Sequence, residues 1–90
     1  MNAFSRTATI MNKRGLHARA AAKFAKLAGT FEADVSVSKG GQTVSGRSIM
    51  GLMMLAACTG SEVGLSATGP DAEDALDAIC ALIAERFQED

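Results

Sequence analysis

With 90 residues, 48% of them hydrophobic, the chain is long enough for one packed domain and too apolar for a disordered tail. Nine Lys and Arg against ten Asp and Glu leave a formal charge of −1, which argues against a partner recognised by bulk charge. Trp and Tyr are absent and Phe occurs four times, so the aromatic platforms that stack single-stranded bases are missing and nucleic acid is not an expected partner. Met1 to Arg6 lack the apolar centre of a signal peptide. The longest apolar run, Ile49 to Cys58, is about half of the roughly 20 residues that span a membrane, so a cytoplasmic protein with no membrane insertion is expected. Cys58 and Cys80 have no CxxC spacing and one histidine completes no zinc set. No metal is expected, and both cysteines read as core thiols.

In chain order, the first element is a strand from Phe4 to Ile10, where Ala8 and Ile10 alternate with Thr7 and Thr9 while Arg6 interrupts the pattern. The loop Asn12 to Gly15 leads to an alanine-rich helix, Ala18 to Ala28. Its Ala21, Phe24, Ala25 and Ala28 face a core, opposite Arg19, Lys23 and Lys26. That basic stripe reads either as a docking surface for an acidic partner or as an ordinary solvated face. Gly29 is placed to end the helix in the left-handed conformation. Phe31 to Ser38 alternates without a miss, and Lys39-Gly40-Gly41-Gln42 turns it into a short returning strand, Gln42 to Ser45. Ser48 can cap a short helix, and Glu62 to Thr68 is a further alternating strand. After Gly69-Pro70, Asp71 with Asp74 can cap a final helix running to Phe87. Strands and helices each carry one apolar face. That predicts an α+β open-faced β-sandwich over residues 1–90, a four-stranded antiparallel sheet covered on one face by three helices in the order βαββαβα.

The chemistry concentrates at Gly15-Leu16-His17-Ala18-Arg19. His17 is the single histidine and falls at the start of the first helix. The first turn of a helix offers unpaired amides, here those of Ala18 and Arg19, and the positive end of the macrodipole, so it can receive a phosphate. The Arg19 guanidinium can fork onto phosphate oxygens. Nearby Lys13, Arg14 and Arg19 disfavour a further positive charge, which favours the neutral, nucleophilic ring and, after reaction, the anionic phospho-form. These are the parts of a reversible phosphoryl carrier. The competing reading is a structural histidine, the commoner role for a lone one.

A second stretch, Gly46 to Leu55, is too apolar for one buried stripe of a two-turn helix. Leu52 and Leu55 fit the core, whereas some of Ile49, Met50, Met53 and Met54 should face water or a partner, where flexible thioethers repack against different shapes.

Two motifs together resemble the HPr family, the histidine-containing phosphocarriers of the bacterial phosphoenolpyruvate-dependent phosphotransferase system. Asn12-Lys13-Arg14-Gly15-Leu16-His17-Ala18-Arg19 is similar to its phosphohistidine signature, and Arg47-Ser48-Ile49-Met50-Gly51 to its regulatory serine signature. The resemblance implies phosphorylation of His17 on Nδ1 by phospho-enzyme I, transfer to a histidine of an enzyme IIA of the sugar or nitrogen type, and a phosphate steadied by Arg19. It implies that Ser48 is the serine modified in many bacteria by an HPr kinase/phosphorylase, and that Ile49, Met50 and Met53 form the docking patch. The implied protein is a monomeric, stoichiometric carrier rather than an enzyme, with no cofactor and a phosphoryl group drawn ultimately from phosphoenolpyruvate. One departure stands out: Ala20 replaces the family's usual proline after the arginine. As the third helical residue an alanine should preserve the helix. The alternatives are a metabolite-sensing or protein-interaction α+β module without phosphoryl transfer, and an enzyme in its own right. The latter needs a second acid or base, and no Asp or Glu lies close to His17 in sequence.

Overall fold

The computed structural model describes residues 3–89. Residues 1, 2 and 90, the ends of the expected 1–90 domain, lie outside the described residues. The elements are β1 (Ala3–Thr9), α1 (Ala18–Ala28), β2 (Asp34–Lys39), β3 (Gln42–Ser45), α2 (Ile49–Met54), β4 (Glu62–Thr68) and α3 (Ala72–Ala84), followed by a single 3₁₀ turn at Arg86–Gln88. The four strands form one antiparallel sheet in the order β1-β4-β2-β3. This is the expected open-faced sandwich, with three helices over one face.

Alternation sets which face is covered. Val63, Leu65 and Ala67 of β4 are buried, as are Val35 and Val37 of β2. Ala67 sits between Phe4 and Val35, and Leu65 between Arg6 and Val37. Against this face α1 packs Ala21, Phe24 and Ala28, and α3 packs Ala75, Leu76, Ile79 and Ile83. Each large aliphatic or aromatic side chain so buried contributes about 1.5–3 kcal/mol. The hairpin closes as the Gly-Gly turn requires. Lys39 pairs with Gln42, and both Gly40 (φ 57) and Gly41 (φ 83) take the positive φ of a two-residue turn.

Arg6, the break in the β1 pattern, faces the covered side. Its Nη1 donates to the Asp77 carboxylate on α3 at 2.7 Å, so the charge leaves the sheet surface while the stem lies along it.

Several local expectations are corrected. Gly29 stays right-handed (φ −69, ψ −13). The helix end tightens instead into a turn in which the Thr30 amide and hydroxyl both donate to the Leu27 carbonyl. Asp71 makes no side-chain cap on α3, although it stands at the cap position. Its carboxylate accepts the amides of Glu32 (2.9 Å) and Ala33 (2.8 Å), which holds Asp71 below the usual carboxylate range. Those amides are therefore unavailable to a ladder, and β2 begins at Asp34 rather than Phe31. The helix α3 ends at Ala84, not Phe87. Phe87 is still fully buried, but through a turn with positive φ at Arg86, Phe87 and Gln88. Cys80 is partly buried against the core, whereas Cys58 is exposed and not a core thiol. It lies in the irregular stretch after α2, where no apolar periodicity dictates burial. Among the described residues no helix is long and apolar enough to cross a membrane.

Candidate phosphoryl site

The site begins with a glycine. Gly15 (φ 66) lies so close to the stretch after α2 that a Cβ there would fall onto the Ala57 carbonyl and 2.8 Å from the Cys58 Cα. Beside it the Leu16 amide donates to the Ala57 carbonyl at 2.9 Å, and Leu16 is buried. The loop is thereby pinned to the segment that follows α2, and His17 is delivered to the mouth of α1. Gly15→Ala is expected to lower stability by at least about 1–2 kcal/mol from the left-handed backbone alone. The overlap with Ala57 adds to this, and an unchanged melting temperature would contradict it.

His17 is the N-cap of α1, in extended conformation (φ −76, ψ 179), and its carbonyl accepts the Ala21 amide at 2.8 Å. Its Nδ1 accepts the Arg19 amide in a long, 3.3 Å hydrogen bond. An imidazole acting as cap thus turns one nitrogen toward the free amides of the first turn. Arg19 itself is exposed. With Lys13, Arg14 and Glu89 it lines a depression of about 270 Å³, and the side chains of Arg14 and Arg19 make no hydrogen bond or ion pair among the described residues. Ala20 is fully buried and α1 is regular from Ala18, so the helix survives without the proline.

The other ring nitrogen carries what local sequence reasoning missed. Nε2 lies 2.8 Å and 3.0 Å from the two carboxylate oxygens of Glu89. The histidine side chain is 21% exposed and that of Glu89 13%. Glu89 is held in turn by Asn12, a fully buried residue whose Nδ2 donates to Glu89 Oε2 at 2.9 Å and to the Gly15 carbonyl at 2.8 Å. The Asn12 amide, aided by the His17 ring, keeps Glu89 below the ordinary carboxylate range despite its burial. The surroundings of His17 are therefore mixed in charge, not uniformly cationic. No local pattern could reveal a partner 72 positions away.

The basic stripe is also divided. Lys26 is exposed, but Lys23 donates to the Phe87 carbonyl at 2.6 Å and helps to seat the 86–88 turn. Ser48 caps α2 as expected, accepting the Gly51 amide at 3.0 Å. Leu52 and Leu55 are buried, while Ile49, Met50, Met53 and Met54 are 42%, 70%, 40% and 65% exposed. Met11, 50% exposed, joins the list of uncovered large apolar side chains and was not singled out by the sequence. Among the described residues no group of three or more His, Cys, Asp and Glu could hold a metal ion.

Comparison with known proteins places this geometry. Residues 4–85 match the family model described as the PTS HPr component phosphorylation site. The chain is 56% identical over 84 residues to a phosphocarrier protein HPr of Cupriavidus necator, covering 93% of this chain and 94% of that one. It is 46% identical over 89 residues to a phosphocarrier protein NPr of Shewanella violacea, covering 99% and 98%. Among solved structures, HPr-C-His from Thermoanaerobacter tengcongensis superposes with a TM-score of 0.93 at 42% identity, covering 97% of this chain and 98% of that one. A likeness of this extent, in sequence and in fold alike, means that the chain belongs to the HPr family of phosphotransferase-system phosphocarriers.

Proposed function

We propose that His17 is the phosphoryl-carrying residue of this phosphocarrier, with Nδ1 as the accepting atom. The observation that carries the reading is the cap: Nδ1 points at the first-turn amides of α1 and already accepts the Arg19 amide. When Nδ1 bonds to phosphorus, that N–H is released and can donate to a phosphoryl oxygen, as can the neighbouring Ala18 amide. The exposed Arg19 side chain, two residues on, can add charge to the same oxygens. Phosphoryl transfer is mainly a matter of position and charge stabilisation, and both are supplied here by a helix terminus and an arginine.

On this reading enzyme I is the donor, an enzyme IIA histidine the acceptor, and the chain a monomeric, stoichiometric carrier with no resident cofactor. It acts in the cytoplasm. The exposed Ile49, Met50 and Met53 supply an apolar surface for both partners, and Ser48 stands at its edge as a regulatory site for an HPr kinase/phosphorylase. Family membership disfavours a sensing or interaction module without phosphoryl transfer.

The test is incubation with enzyme I, Mg²⁺ and phosphoenolpyruvate, followed by intact mass after alkaline and acidic treatment. One added phosphate that survives base and is lost in acid is expected. No added mass with a competent enzyme I would overturn the reading.

Ser48→Asp extends it. A negative charge at a helix N-terminus is electrostatically favoured, so the fold should persist. The same charge beside Ile49 and Met50 opposes an acidic or apolar partner surface. The expected result is labelling slowed about tenfold, equivalent to ~1.4 kcal/mol, with an unchanged melting temperature. Labelling at the wild-type rate would argue against Ser48 as a regulatory site.

A further inference from the structure

We infer that the open face of the sheet carries a second binding site, a notch over Gly64 suited to a small, neutral, polyhydroxylated molecule. The site lies on the side of the sheet turned away from α1, and it rests on nothing in the carrier reading.

The uncovered face is built from the residues that alternate with the core. Val63 and Leu65 are buried against the helices, so Gly64 between them points outward. The register places Thr7, Gly64, Ser38 and Thr43 in one row across all four strands, and Ser5, Ser66, Ser36 and Ser45 in the next. Stability does not explain this choice. Serine and glycine are poor strand formers, and threonine, valine or isoleucine at the same positions would favour the sheet. Gly64 is the clearest case. Its φ is not positive, so no backbone conformation demands a glycine there. The nearest atom to a Cβ would be the Ser38 Oγ at 2.7 Å, a hydroxyl that can rotate aside. A glycine within a strand that no turn or bulge requires marks a place where another group comes close to the backbone.

The space over Gly64 is a depression of about 480 Å³, within the range of small-molecule sites. Thr7, Ser38 and Thr43 line it with hydroxyls, and Glu62 and Lys39 bring one charge of each sign. None of these five side chains makes a hydrogen bond or ion pair among the described residues, so their donors and acceptors are open to a ligand. The lining selects the class. An apolar molecule would meet polar walls. An anion is opposed by the Glu62 carboxylate and a cation by the Lys39 ammonium, and the two charges together leave no net field to attract either. A zwitterion would engage both charges but leave the hydroxyls unmatched. Vicinal hydroxyls suit every group present. They can donate in pairs to one carboxylate, accept from an ammonium, and do both with serine and threonine.

The experiment uses the full chain, ¹⁵N-labelled, titrated with D-glucitol and with myo-inositol. Saturable shifts in the millimolar range are expected at the amides of Thr7, Ser38 and Gly64, with none at His17. Gly64→Val fills the notch with a better strand former and is expected to abolish the shifts without lowering the melting temperature. Glu62→Gln changes an exposed side chain, tests the site even if Gly64→Val unfolds, and is expected to weaken binding about tenfold. Ser66→Ala, in the neighbouring row, should bind as the wild type does. Shifts that rise without saturating, or that spread evenly over the chain, would overturn the inference, as would undiminished binding by Glu62→Gln or by a folded Gly64→Val. Equal or tighter saturation by D-gluconate or by zwitterionic L-serine would overturn the neutral class.

Discussion

His17→Ala is expected to take up no acid-labile phosphate from enzyme I and phosphoenolpyruvate, where the wild type takes one per chain. The residue is the single histidine of the sequence, so no second imidazole can substitute for it. The variant should remain folded. It loses the Nδ1 cap on the Arg19 amide, a change worth about 0.5–2 kcal/mol, and leaves the buried face of α1 untouched. Chemical lability separates the alternatives. A phosphate on Ser48 is an ester that survives acid, whereas one on His17 is a phosphoramidate that survives base. Intact mass before and after acid treatment reads the difference, and an acid-labile label on His17→Ala would reject the assignment.

Phe87→Ala should be the most destabilising of the changes considered, by about 3–5 kcal/mol. Phe87 and Phe24 head the fully buried side chains, and α3 has already ended three residues before Phe87. The turn that delivers it holds Arg86, Phe87 and Gln88 at φ 56, 55 and 61, a left-handed conformation costing about 1–2 kcal/mol for each residue with a Cβ. Burial of the ring and the Lys23 bond to its carbonyl are what offset that cost. Truncation should therefore release the turn and with it Glu89. The expected outcome is a lower urea midpoint. A loss below about 1 kcal/mol would mean that the ring is not a keystone of this corner.

The legible parts of the molecule were those decided by neighbours in the chain. Residues α1, β3 and β4 have the boundaries that periodicity and turn chemistry predict, and the caps at His17 and Ser48 follow from what precedes each helix. The exposure of Ile49, Met50 and Met53 followed from a count of apolar residues against the stripe that a short helix can bury. Where the reading went astray, a distant group had intervened. Asp71 suits a cap by its position, but the amides of Glu32 and Ala33, 39 and 38 residues away, claim its carboxylate and delay β2. Phe87 continues the apolar period of α3 and is buried as that period demands, yet reaches the core by a reversed turn that no periodicity encodes. The charges counted around His17 were those adjacent in sequence, so the balance omitted Glu89. Half of the site, the cap, is local; the other half is made by folding.

That division has a consequence for timing during synthesis. The hydrogen bonds of Glu89 to His17 and Asn12 span 72 and 77 positions, and β1 finds its place in the sheet only when β4 arrives to pair with it. Closing loops of that length is among the slower and later events in forming a small domain. A chain still emerging from the ribosome can already have wound α1 and capped it with His17, but until residue 89 is free its imidazole has no carboxylate. The complete arrangement, capped histidine and carboxylate together, would then exist only in molecules whose first and final segments have met.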